Sequence, residues 1–225
     1  MSWYANGMGI PMIPQSGDDP GTGQVEICSL IWTNTNSSET ELIAGGNIPI
    51  LTNQADWYSA WQAQTPAACY WDFDPNNASY GLIYNLFARN VVKKPIGFRL
   101  PTNADWDSLF SQPCFPFPAP TGNKNRYGAN PGNWDPSLLT ITAELGDSGF
   151  NSQGYGRAVL NIFTGVFSFI DSGEWEQYHT DDTTNFSGWY GYIVNNNSLE
   201  ATFLALNGDP DPGSDGCFIR FCKDV

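Results

Sequence analysis

The chain has 225 residues, 41% hydrophobic and 15% aromatic with nine Trp, enough apolar side chain for one substantial core and too much for a disordered chain. Charged residues make up only 14% while Gly (23) and Pro (16) are plentiful, which argues against a helical bundle and for short strands joined by long loops. The formal net charge is −14, from 23 acidic and 9 basic residues with Lys93-Lys94 as the one basic cluster, so nucleic acid and anionic membranes are not expected partners.

Met1 to Gln24 is punctuated by Gly7, Gly9, Pro11, Pro14, Pro20, Gly21 and Gly23, with Trp3, Tyr4, Ile10, Met12 and Ile13 mixed in. It cannot form a regular element and reads either as an extended arm that docks on a neighbour or as a disordered leader. It has no basic start followed by an apolar run, so a secretory signal is not expected, and no stretch of the chain is apolar enough to insert in a membrane. Residues 25–225 are expected to form one domain.

Val25 to Trp32 reads as a strand. Asn53 to Gln64 reads as a helix capped by Asn53, with Trp57 and Trp61 on one face. Ala68 to Asp72 is a short strand ending in a turn at Asp74-Pro75-Asn76-Asn77, and Tyr84 to Val91 a second short helix. Thr102-Asn-Ala-Asp105 is a capping pattern that opens a third helix through Trp106, Leu109 and Phe110. Cys114 to Pro136 has no periodicity and reads as a long loop. Short apolar runs follow at Leu138–Ala143, Ala158–Phe163, Val166–Ile170, Trp189–Val194, Thr202–Leu206 and Phe218–Phe221, the pattern of a meandering sheet. Helices early and strands late make an α+β chain. Cys28, Cys69, Cys114, Cys217 and Cys222 form no CxxC pair, and five free thiols are expected. Cys217 and Cys222 fall on opposite faces of one strand in this reading.

Gly46-Asn-Ile-Pro-Ile50, Ala55-Asp-Trp57, Cys69-Tyr-Trp-Asp-Phe-Asp-Pro-Asn-Asn77 and Tyr80-Gly-Leu-Ile-Tyr-Asn85 follow one another in a characteristic order. Gly97-Phe-Arg-Leu-Pro-Thr-Asn-Ala-Asp-Trp106, Gly165 to Trp175, Gly188-Trp-Tyr-Gly-Tyr-Ile193 and Gly216 to Asp224 continue it. The series resembles the Fibrobacter succinogenes major paralogous domain family, from about Val25 to Val225. The resemblance implies a C-type-lectin-like domain related to formylglycine-generating enzymes: a small twisted antiparallel sheet, two flanking helices and long loops. Trp32, Trp57, Trp106, Trp175 and Trp189 would then supply its core. Many family members pair a Cys before the GWHLP block with one in the ending. The corresponding residues here are Lys94 and Phe221, a loss that fits folding in a reducing compartment.

His179 is the sole His, sits in an Asp- and Thr-rich stretch, and is expected to be a solvated residue. No P-loop, HExxH, GxGxxG or nucleophile-elbow motif occurs, and Cys217 and Cys222 are not placed like the Cys pair of the formylglycine-generating relatives, so an enzyme is not expected. Asp72-x-Asp74-x-Asn76 lacks the Gly and the Glu that an EF-hand needs at its sixth and twelfth positions, and reads as a local Asx turn. No cofactor is expected, with calcium on Asp209, Asp211 and Asp215 as the exception the loops would allow. Sugar stacking falls to Trp134 or to Trp189-Tyr190-Gly191-Tyr192, the latter equally readable as core.

The binding face is expected on Cys114–Pro136, Asp181–Asn185 and Asn207–Asp215, with Trp134, Tyr127, Asn133, Asp182 and Asn185 in contact with ligand. The arm, the absent export signal and the lost disulfide suggest a virion component of a bacteriophage, made in the host cytoplasm. A head fibre, tail-tip or receptor-binding protein would meet other virion proteins through the arm, form a homo-oligomer and recognise a host-surface glycan or protein. The alternative is a bacterial cell-surface ligand-binding or adhesion module.

Overall fold

The computed structural model describes residues 23–111, 150–170, 172, 175–181, 190–195, 201–205 and 215–225. Side chains are described for these except 107, 110, 111, 175, 190–195 and 201–205. Few helices and small, mainly antiparallel sheets make it a mixed α and β chain. No helix among the described residues is long and apolar enough to cross a membrane.

The expected first strand is a hairpin: β1 (Gln24–Ile27) and β2 (Leu30–Thr33) pair antiparallel around Cys28-Ser29. Both turn residues have positive φ, 57° and 65°, the left-handed pair that a two-residue hairpin of this twist demands. Asn or Gly would normally signal that turn, and neither stands here. β3 (Ile50–Leu51), β4 (Ala68–Cys69) and β5 (Ile83–Tyr84) form a second sheet, with β3 and β4 parallel. β6 (Arg157–Asn161) and β7 (Val166–Ile170) make a hairpin. β8 (Trp175–His179), β9 (Tyr190–Asn195) and β10 (Ala201–Ala205) make an antiparallel meander. β11 (Cys222–Asp224) returns to β2 on the side away from β1.

Helix caps match the sequence closely. α1 (Gln54–Gln62) starts where Asn53 Oδ1 accepts from the Asp56 amide at 3.0 Å, while Asn53 Nδ2 donates to the Asp56 carboxylate. α2 (Leu86–Arg89) is a single turn capped by Asn85. α3 (Asn103–Ser111) carries the full capping box: the Asp105 amide donates to Thr102 Oγ1, and the Thr102 amide to Asp105 Oδ2. Asp105 also takes a two-pronged contact from Arg99, whose Nη2 donates to Asp224 of β11 as well. Burial raises the Asp105 pKa, but the bonds from Arg99 and Thr102 outweigh it and hold the carboxyl below its usual range. Asp74 accepts from both nitrogens of Asn76, so this segment is the Asx turn expected.

The last residues hold the sheets together. The expected strand Phe218–Phe221 does not form; instead the segment from Gly216 to Phe218 makes a run of single bridges, each to a different partner. Gly216 pairs with Ala158 of β6, Cys217 with Tyr84 of β5, and Phe218 with Tyr178 of β8, before the chain joins β2 as β11. Four sheets too small to be stable alone thus share one central segment. Gly216 has no room for a side chain, since an added Cβ would lie 2.4 Å from Ile83 Cγ2 and 3.0 Å from the Trp57 ring. Around this seam Trp32, Trp57 and Trp106 are buried, with Trp106 5.3 Å from Tyr178 and Trp57 4.7 Å from Phe167. Each removes on the order of 200 Å² from water, about 5 kcal/mol at 25 cal/mol per Å². Trp175 and Trp189, expected beside them, lie outside the described side chains.

Phe221 fills a second apolar cluster with Val92, Phe98, Leu100 and Ile219, apolar packing at the position where the resemblance would place one half of a disulfide. The expectation of five free thiols is corrected. Cys69, Cys217 and Cys222 are free and buried, but Cys28 is disulfide-bonded to a partner outside the described residues. The chain carries a disulfide at Cys28, so Lys94 and Phe221 at the positions singled out by the resemblance are no argument for a reducing compartment.

Candidate functional site

The loops expected to bind ligand fall largely outside the described residues: Trp134, Tyr127, Asn133, Asp182, Asn185, Asp209 and Asp211 all do. Three bases that border the stretches outside the described residues, Phe150–Gly154, Thr180-Asp181 and Asp215, are each fixed by buried polar side chains.

The chain leaves α3 at Ser111 and is next described at Phe150. There two opposite charges lock it down. β8 turns Glu176 inward, and its Oε2 accepts from Ser152 Oγ (2.5 Å) and from the amides of Gln153 (2.5 Å) and Gly154 (3.2 Å). Arg220, fully buried in the central segment, donates to the carbonyls of Thr33, Phe150 and Asn151 at 2.9–3.0 Å. Asn36 joins the two: its Nδ2 donates to Glu176 Oε1 at 2.8 Å, and its Oδ1 accepts from Arg220 Nε at 2.7 Å. The guanidinium also sits 4.9 Å from the Phe150 ring centroid. Tyr178 donates to Ser152 Oγ at 3.1 Å, and burial beside Glu176 pushes its phenol far above the ordinary range.

This is an anion nest filled by the protein's own carboxylate. Both Glu176 oxygens and four of the five Arg220 donor positions are engaged within the protein, so the node is built to hold the chain in place. Its chemistry is fixation. The sequence reading missed it, because partners scattered over Asn36, Ser152, Glu176 and Arg220 leave no spacing to detect.

The second base lies at the end of β8. Thr180 Oγ1 contacts the Pro101 carbonyl and Asn103 Oδ1, both at 3.0 Å, and the Asp181 amide donates to Pro101 O at 2.8 Å. His179, expected to be solvated, is fully buried in a strand, which corrects that reading. Its Nε2 donates to the Tyr84 carbonyl at 2.8 Å. Burial first, then the Arg89 charge, push its pKa down to about 3, so it is neutral at ordinary pH. β8 escaped notice because Glu176, Gln177, Tyr178 and His179 are all buried, leaving no polar alternation to read.

The third base is Asp215, the one member of the expected metal trio that is described. It is 5% exposed, and its Oδ1 accepts from the Leu160 amide of β6 at 3.1 Å, which fixes it against β6. Among the described residues no group of three His, Cys, Asp or Glu side chains is placed to hold a metal. Cys217 and Cys222 do not share one strand as expected; burial raises the first thiol's pKa and pushes the second up to about 12. One exposed aromatic was also overlooked: Phe163, 83% exposed at the β6–β7 turn, where Asn161 Oδ1 accepts from the amides of Phe163 and Thr164.

Neither a family model, nor a curated protein, nor a solved structure matches this chain.

Proposed function

We propose that this chain is a non-catalytic structural and binding protein: a C-type-lectin-like domain carried on a bacteriophage virion as a head-fibre, tail-tip or receptor-binding component, recognising a host-surface glycan or protein. The observation that supports it is that three scaffold positions bordering the undescribed stretches are clamped by buried polar groups: Phe150–Gly154 by Arg220 and Glu176, Thr180-Asp181 by Pro101 and Asn103, and Asp215 by Leu160. Variable loops on fixed bases are how a scaffold tolerates a changing binding face. The residues behind the family resemblance, Trp57, Tyr84, Asn85, Trp106 and Arg220, are scaffold residues here, all buried. The titratable groups that could have suggested catalysis, His179, Cys217 and Cys222, are buried too.

The test is a binding screen of the purified chain against arrayed bacterial surface polysaccharides and intact cells, followed by Trp134→Ala. A loss of about 2 kcal/mol in binding with an unchanged melting temperature is expected. A fall in stability of about 3 kcal/mol would instead make Trp134 a core residue and the assigned face wrong.

The Cys28 disulfide favours a second reading, a bacterial cell-surface adhesion module, since such bonds persist in oxidising surroundings. Genomic neighbours separate the two: capsid and tail genes for the first, surface-lipoprotein genes for the second.

A further inference from the structure

Residues 41–45 and 93–98 line a recess of about 580 Å³. Its walls are held by backbone hydrogen bonds: the Lys93 amide donates to Glu41 O (2.7 Å), Ile43 to Val91 O (2.9 Å), and Phe98 to Pro95 O (2.9 Å). Gly97, at φ 80°, completes a turn that leaves Ile96 99% exposed. Ile43 and Val91 are exposed beside it, so three of the six exposed large apolar side chains among the described residues cluster here. Isolated exposed apolar residues are ordinary, but several gathered at one place mark a contact surface.

The rim is basic in an acidic protein. Of the four lysines in the chain, Lys93 and Lys94 line the recess, and Lys223 places its Nζ 4.7 Å from the ring centroid of Phe98, another lining residue. Glu41, paired with Lys93 at 2.7 Å, is the lone lining carboxylate. In a chain whose net charge is −14 overall, this basic and apolar recess is a favourable site, among the described residues, for an acidic and apolar segment.

We propose that the occupant is the N-terminal segment, residues 1–22, of a second copy of this chain. That segment contains no Lys, Arg or His, carries Asp18-Asp19, and offers Trp3, Tyr4, Ile10, Met12 and Ile13 as apolar anchors. Its Pro residues restrict the free chain and lower the entropy cost of docking. Extended, it spans roughly 70 Å, far enough to reach a neighbour. The inference rests on the first of the two readings of this segment, a docking arm, and not on the virion location or on the binding loops.

The test is self-association of the full-length chain by sedimentation equilibrium, with far-UV circular dichroism confirming that each variant folds. The wild type should associate. Ile96→Asp, Lys93→Glu with Lys94→Glu, and Asp18→Lys with Asp19→Lys should each weaken association roughly tenfold. Combining the two charge reversals should restore it, because the opposite charges meet again with their signs exchanged. A wild type that stays monomeric at about 100 μM, some hundredfold above a micromolar dissociation constant, overturns the inference. So does association indifferent to the recess variants. If the Asp18/Asp19 reversal weakens association while the recess variants do not, the recess is the wrong site but the docking arm survives.

Discussion

His179 and Arg220 show what single buried groups contribute. The folded pKa of His179 is depressed to about 3 against an ordinary value of 6.5, so below pH 6.5 the unfolded chain binds a proton that the folded chain refuses. Stability conferred by the neutral ring is complete above pH 6.5 and is lost as pH falls toward 3, about 2 kcal/mol of it by pH 5. Urea melts of the wild type and His179→Gln at pH 7.5 and pH 5 check this; the variant should lose that much less on acidification. Arg220→Lys should cost about 3 kcal/mol or more, because one ammonium cannot replace a fork that reaches three carbonyls and Asn36. A cost under about 1 kcal/mol in denaturant melts would mean the node is not what fixes Phe150 and Asn151.

The elements divide into those that announce themselves and those that do not. Ser29, exposed at φ 65°, sits in a turn made for glycine, so Ser29→Gly should stabilise by about 0.5–1 kcal/mol in thermal melts. Thr102→Ala removes the hydroxyl half of the α3 cap and should cost about 1 kcal/mol. Caps and Asx turns were legible because they rest on contacts between residues two or three apart: Asn53 with Asp56, Thr102 with Asp105, Asp74 with Asn76. The β1–β2 hairpin and β8 were not, because one lacks the usual turn residues and the other buries both faces. The central segment reads in the sequence as one strand. Its succession of partners from β6, β5, β8 and β2 is decided by tertiary contacts that no local pattern encodes.

For the whole molecule, covalent state and stiffness are the quantities that matter. Thiol titration of the denatured, unreduced chain should find Cys69, Cys217 and Cys222 reactive, and Cys28 only after reduction. Recovery of five thiols without reductant would remove the disulfide from the account. The proposed binding role requires a scaffold that does not yield where the expected loops leave it, a property that needs no ligand to examine. Native-state hydrogen exchange of the amides of Gln153, Gly154, Leu160 and Asp181 measures it directly, since each closes a loop base through a hydrogen bond. These four amides should exchange only through global unfolding, with the same free energy and denaturant dependence as the core amide of Tyr84, which bonds to Cys217. Exchange several kcal/mol below that limit, through local opening at the bases, would contradict a rigid scaffold presenting its loops.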